Sequence, residues 1–371
     1  MSFKAFPAPT SRPDPSRPAP SGLAGSPLGM QHPPRRCINP GFSLQLVGDR
    51  LLIGGGRTGL ELEGVDAADH AYILALARRI SRAAPPIPAE PGYPPRERCL
   101  ELDSLLTPAL VPIPARPERT GRRLALAPDV SHWSLAYDQH AGGGLQRRAE
   151  AVVVLDGAPR AAQYAADLLL AAGIGTLVVR DTDAVAPPDT LTGLLGPHRV
   201  GRPRGSELLR SLASRHPDAR LCAEMPDIDP ESTTVVLLPS GRRECRPADD
   251  PAAAESTGPW LVLPLEHGDA VATVGPLHVP GLTPCLECGD RASARLQAER
   301  SALPGLPRPT ELELTLASTV GSLAAMHVLM AVDAVNVPAT AARIIGVDLA
   351  TGGLRYDDVS PRPGCLCLAA A

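Results

Sequence analysis

Hydrophobic and polar positions change character three times along the chain. Residues 1–36 ("SRPDPSRPAPSG" and neighbours) hold prolines and little that could form a core, which predicts a disordered tail. Met30 is a candidate start, because patterned sequence begins soon after it. From Phe42, "FSLQLVGDRLLIGGG" reads as strand, Gly48-Asp49 turn, strand. "LELEGVDAADHAYILALARRI" predicts a short strand and then a helix capped by Asp66 or Asp69, with Tyr72, Ile73, Leu76 and Ile80 at helical spacing. Residues 37–90 thus form a small α+β unit. Residues 84–98 are Pro-rich, and 91–150 are taken as a connector, within which "SLAYDQHAGGGLQRRAE" is helix or loop.

At Ala151 the pattern sharpens. "AVVVLDG" is a short, wholly apolar strand of the kind buried on both faces of a parallel sheet. "APRAAQYAADLLLAAGIG" is a helix stopped at Gly173, and "TLVVRDTDAV" is a second strand ending in acids. That is one βαβ unit. A helix at "GSELLRSLASRH" and strands at "ARLCAEM", "TTVVLLP" and "PWLVLPLEHGDAVATVGPLHV" follow. A long helix, "LELTLASTVGSLAAMHVLMAVDAV", precedes a final hairpin, "ARIIGVDLATGGLRYDDV". This order predicts a doubly wound, Rossmann-like α/β sheet over 151–371.

Composition narrows the chemistry. Formal charge is −4, and neither a basic stripe nor an acidic tail points to nucleic acid. Lys4 is the only lysine, as codon bias in a GC-rich genome would produce, so no lysine in the folded part can do a lysine's chemistry. The apolar stretch Gly321–Val335 is short for a bilayer and carries Asp333, so no membrane span is expected. No signal pattern opens the chain, so a cytoplasmic location with reduced thiols is the expectation.

Two constellations carry candidate chemistry. The first is the βα turn Gly157-Ala158-Pro159-Arg160, with Asp181 and Asp183 at the end of the next strand. A dinucleotide turn needs Gly for the bend and bare backbone beside phosphate, and an acid roughly 20 residues on for ribose hydroxyls. Gly157, Arg160, Asp181 and Asp183 are therefore the cofactor-binding candidates. Pro159 counts against them, since it lacks an N–H and its ring occupies the approach path. A structural turn and solvating loop acids are the other reading. The second constellation is Cys285-x-x-Cys288 with Cys365-x-Cys367, four thiolates in two close pairs, the number a closed tetrahedral zinc site takes. An ion there would staple the C-terminal tail to the loop before the long helix. Reduced cysteines or a redox dithiol are the alternatives.

A βαβ unit followed by "TVGPLHVPGLTPCLEC", a long helix, a hairpin and "PRPGCLC" resembles the ThiF family, adenylating proteins related to ubiquitin-activating enzymes. The likeness covers about 150–371. It is nearest to a divergent bacterial branch that binds the leader of a ribosomal precursor peptide and presents it to a YcaO-type cyclodehydratase. The resemblance implies zinc at Cys285, Cys288, Cys365 and Cys367, a homodimer, and a winged-helix-like recognition domain at 37–90. An active family member would use ATP and magnesium to adenylate a C-terminal carboxylate. Here Pro159 alters the turn, "AVAPPDTLTGLLGPHRV" lacks the family's Asn–Arg pattern, no lysine exists beyond Lys4, and "SGRRE" follows the fourth strand without aspartate. Arg199 or Arg202 could approach phosphate, but arginine differs from lysine in shape and donor geometry. The expectation is a zinc-stapled ThiF-like scaffold, with an active adenylyltransferase as the alternative. A dinucleotide-binding oxidoreductase ranks third.

Overall fold

The computed structural model describes residues 36–55, 58–78, 92–114, 125–227, 229–239, 260–267, 270–289, 292, 311–365 and 367. The expectations for the Pro-rich tail, Met30, Ile80, residues 84–91, the "SGRRE" segment and Cys245 lie outside them.

The small unit forms as the alternation predicts. Strands β2 (Leu44–Val47), β3 (Arg50–Gly55) and β4 (Thr58–Leu62) make an antiparallel sheet in the order β2-β3-β4. Gly48, at φ 68°, sits in the two-residue turn that pairs Val47 with Arg50. Helix α1 (Ala67–Arg78) starts at Asp66, whose Oδ1 accepts the Ala68 and Asp69 N–H groups at 2.8 Å, so Asp66 is the cap. Asp69 instead takes Arg98.

That core does not end at residue 90. Helix α2 (Arg96–Leu105) and strand β5 (Leu110–Pro112) come from the stretch read as connector. Leu102, Leu106 and Ala109 are buried in one cluster with Leu51, Ile53 and Ile73. Strand β1 (Arg36–Ile38) pairs antiparallel with β5. Helices α3 (Ala127–Tyr137) and α4 (Gly142–Glu150) then lead into the large sheet. The "GGGLQRRAE" segment is therefore helix.

The large sheet has eight strands in the order β13-β12-β11-β10-β9-β6-β7-β8. Strands β6 (Val152–Asp156), β7 (Thr176–Arg180), β8 (Arg220–Cys222), β9 (Thr234–Pro239) and β10 (Trp260–His267) are parallel. Strands β11 (Val271–Val274), β12 (Arg343–Asp348) and β13 (Leu354–Asp358) continue the sheet antiparallel. The order reverses beside β6, which makes its carboxyl end the switch point of the sheet, where open α/β sheets hold ligands.

Period-two alternation divides the core between the sheet's faces. Val153 and Leu155 pack with helices α5 (Arg160–Ala171), α6 (Arg204–Arg215) and α7 (Leu314–Asp333). Val152 and Val154 face the other side with Val178, Val236, Trp260 and Val262, where Met225 and Leu286 pack against them. The long helices among the described residues lie on the first face, so the doubly wound expectation is met in its mixed, mostly parallel sheet rather than in helices on both faces.

Helix α7 starts seven residues before the apolar run marked in the sequence and, at 20 residues, is long and apolar enough to cross a bilayer. In this fold it is a core helix: Ala317, Val320, Ala324 and Val328 are fully buried against α5 and the sheet. The two helices approach closely because small residues meet. A Cβ on Gly321 would lie 2.5 Å from the Ala161 carbonyl oxygen. At its far end, Asp333 takes the Arg148 guanidinium through Nε at 2.8 Å and Nη2 at 2.5 Å, both side chains 1% exposed. Tyr137 also donates to Asp333 at 2.8 Å, and Trp133 lies 5.4 Å from the guanidinium. Burial, with Asp333 beside it, pushes the Tyr137 pKa up. This network pins α3 and α4 to α7.

Candidate functional site

The structure brings the four cofactor candidates together at the carboxyl ends of β6 and β7. Gly157 adopts φ 107°, which only glycine takes readily, and its N–H donates to Arg180 O at 2.9 Å. Pro159 is the residue that caps α5, with φ −64°. Proline there gives the helix no side-chain cap, and the turn loses one N–H that a phosphate could use.

Asp181 is fully engaged within the chain. Its Oδ2 accepts the Ala158 N–H at 2.6 Å and Arg204 Nε at 2.9 Å, and its Oδ1 accepts the Asp183 N–H at 2.8 Å. Its side chain is 0% exposed. Arg204 also reaches Asp183 at 3.0 Å, and Asp189 and Glu311 at 3.5 Å each. Burial lowers the guanidinium's pKa, but the acids around it outweigh that, and the net shift is upward. Burial and Asp189 hold Glu311 above the ordinary carboxyl range. Arg160 donates to two carbonyls, Pro188 O and Leu312 O, both at 2.9 Å. Arg160 and Arg204 thereby hold the chain where it enters α7.

Close approach makes this possible. A Cβ on Gly205 would meet the Asp181 carbonyl oxygen at 2.5 Å, so α6 can sit over the strand end only with glycine there. Arg199 and Arg202, the other phosphate candidates, turn to Glu207 at 2.8 and 3.8 Å. Arg204, Asp189 and Glu311 were missed in the sequence. One signal was present: α5 and α6 both open with Pro-Arg, placing a cation at the positive end of a helix, which calls for nearby anions.

The second candidate site is the cysteine cluster. The Sγ atoms of Cys285, Cys288, Cys365 and Cys367 all lie within 4.8 Å of one another. Cys285 Sγ is 3.6 Å from Cys288 Sγ and 3.7 Å from Cys365 Sγ. A tetrahedron with zinc–sulfur bonds near 2.3 Å has edges of about 3.8 Å, whereas a disulfide is about 2.05 Å. The spacing fits an ion and excludes a bond between these sulfurs. A second shell is present as well. Arg362 N–H points at Cys288 Sγ (3.3 Å), and the Arg362 side chain pairs with Glu287 at 2.6 Å, tying the C-terminal tail to the knuckle. Thr283 Oγ1 accepts Val279 N–H at 2.7 Å and donates to Leu277 O at 2.8 Å, which fixes the loop before Cys285. Without a cation, burial pushes the Cys288 thiol up to about 12, while a Cys367 backbone N–H draws Cys365 down to about 7. Four cysteines at this spacing could hold a metal ion as thiolates.

No family model and no curated protein matches the chain in sequence. Solved structures do match. Escherichia coli MccB aligns over 90% of this chain and 96% of its own, at 15% identity and a TM-score of 0.59.

The fold is MccB-like.

The microcin C7 biosynthetic enzyme MccB in complex with N-formylated MccA aligns over 90% of this chain and 99% of its own, at 15% identity and TM-score 0.58. MccB has also been solved with ATP (16% identity, TM-score 0.57). PaaA matches over 71% of this chain and 92% of its own, at 16% identity and TM-score 0.55. The resemblance first carried by "VGPLHVPGLTPCLEC" and "PRPGCLC" therefore holds at the level of the fold.

Proposed function

We propose that this chain is a zinc-stapled, MccB-like scaffold that binds a ribosomal precursor peptide and serves a peptide-modifying enzyme of the YcaO type, with its nucleotide crevice closed. The observation that carries this is the Arg204–Asp181 pair. The carboxylate that would hold ribose hydroxyls is already taken by one guanidinium and two backbone N–H groups. Arg199 is taken by Glu207 and Arg160 by two carbonyls, while Arg202, 59% exposed, lies 3.8 Å from Glu207. Phosphoryl chemistry rests on charge stabilisation by free cations and magnesium, and these groups offer little of it.

Peptide capture fits the small unit, read as a winged-helix-like recognition domain. Strand β2 is an edge with exposed Leu46 and Val47, a surface on which an extended peptide can add a strand and seat apolar side chains. A homodimer and a cytoplasmic setting accompany this reading. The second reading, an active adenylyltransferase, is favoured by the left-handed Gly157 turn and by the ATP-bound MccB structure. The test is titration of a candidate leader peptide into the zinc-loaded full chain. Saturable binding that is lost in Leu46→Asp and Val47→Asp supports capture at β2. Binding untouched by both, or no binding by any precursor encoded beside the protein, rejects it.

A further inference from the structure

Three consecutive glycines open α4, and their surroundings differ. A Cβ on Gly142 would lie 2.9 Å from His140 Cε1, and one on Gly144 would lie 2.8 Å from Asp333 Oδ1, so the fold requires glycine at both. Gly143 is different. Nothing lies within 4 Å of where its Cβ would be, and it is absent from the residues with positive φ. Alanine there would strengthen the helix. The fold has no use for this glycine.

Gly143 lines a cavity of about 290 Å³. Pro112, Ile113, Pro114 and Val335 give it an apolar wall, and Arg147 is the one charged side chain among its lining residues. Asp333, whose carboxylate lies beside Gly144, is already paired with Arg148. Arg147 donates to the Asp333 backbone oxygen, a neutral partner that leaves its charge uncancelled. His140, also in the lining, accepts the Gly142 N–H on Nδ1 at 3.0 Å and so fixes the start of α4. The lining thus presents the Arg147 guanidinium and bare backbone beside an apolar wall, with no carboxylate among the described lining residues. At about 290 Å³ its volume falls just below the range of ligand sites, about 300 to 1,000 Å³, which suits a ligand smaller than drug size.

We propose that this cavity binds a carboxylate carried on a short apolar body, of the size of one amino acid. Arg147 and the backbone at Gly143 meet the carboxylate, and Pro112, Ile113, Pro114 and Val335 cover the body. The site lies away from the Gly157 crevice, because α4 runs into the start of β6 while Gly157 follows its end. It stands apart from the peptide-scaffold reading. The acid can be a free small molecule or the C-terminus of a peptide; the chemistry is shared.

The test is calorimetric titration of the zinc-loaded full chain with benzoate and N-acetylproline, with benzamide and N-acetylprolinamide as uncharged controls. A pentapeptide ending in proline, with a free or an amidated C-terminus, separates the two sources. The expected result is saturable binding of the acids and none of the amides. Arg147→Gln should weaken it by at least about tenfold, the usual worth of a charge-assisted contact. Gly143→Leu should abolish it, while Gly143→Ala, which enters open space, controls for folding and should melt no lower than the parent. A free-C-terminus peptide binding more tightly than the acids identifies a peptide end as the ligand; the reverse identifies a small molecule. Absence of saturable binding at millimolar acid, equal binding of acids and amides, or binding indifferent to both Arg147→Gln and Gly143→Leu would overturn the proposal.

Discussion

The crevice at Gly157 and the cluster at Cys285 are both built from polar groups drawn from distant parts of the chain, and they are completed in opposite ways. In the crevice, every acid the fold gathers meets an arginine of the same chain: Asp181, Asp183, Asp189 and Glu311 surround Arg204. In the cluster, four sulfurs converge within 4.8 Å, and Arg362 beside them is paired with Glu287 and also hydrogen-bonds Cys365. Arg204 is committed to these four acids, so the crevice offers a nucleotide phosphate no cation from this group and an excess of carboxylates. A site with four potential anions can take a cation from outside. MccB, of the same fold, has been solved with ATP; in this chain Arg204 fills the space beside Asp181, and the four cysteines are free of disulfides.

The largest effect should come from breaking the cluster. Cys285→Ser with Cys288→Ser should remove one zinc per chain, read by elemental analysis, and lower the melting temperature by on the order of 10 °C, because metal-binding energy is folding energy at such sites. Metal content equal to the parent's would remove the staple from the account. Next is the crevice. Arg204→Met leaves Asp181 and Asp189 buried beside an apolar side chain and should cost about 3–5 kcal/mol in denaturant unfolding. Adding Asp181→Asn should return part of that loss; strict additivity of the two would show that the pair is not coupled.

Acid separates the two regions further. Burial holds His327 below the ordinary histidine pKa of 6.5. A base whose folded pKa is depressed takes up its proton more readily when unfolded, so stability is full above about 6.5 and falls as pH drops toward the folded value, by up to about 1.4 kcal/mol per pH unit. His327→Met should flatten that limb in pH-dependent melts, and chelated protein should show it without the added loss from metal release. The smallest effect lies at the other end of the helix that carries Arg204. Burial raises the Asp167 pKa, but Arg215 and His216 outweigh it and leave the carboxyl below its ordinary range. Its contribution is present above the unfolded value and lost as pH falls through the folded one. Arg215 is half exposed, so Arg215→Gln should cost less than about 1 kcal/mol. A cost there equal to that of Arg204→Met would erase the contrast between buried and exposed pairs.

The sequence was most readable where structure is local. The apolar run at Val152–Leu155, the bend at Gly157 and the alanine-rich helix after it follow from spacing and backbone sterics alone. The cysteine pairs were readable too, since each chelating half is a few residues long. Arg204 was not, because its partners lie between 15 and 107 residues away and no local rule selects among them. The same is true of the small unit's limits. The β1–β5 pairing joins Arg36 to Pro112, and such long-range ladders leave no periodic trace. That is why residues 92–113 read as connector although they fill the core.

The central claim is that the crevice is closed by its own arginine. Equilibrium binding of Mg·ATP to zinc-loaded full-length protein, measured by calorimetry, tests it most directly. The account predicts no saturable heat up to millimolar nucleotide. Micromolar binding would contradict it and make pyrophosphate exchange with candidate peptides the appropriate assay.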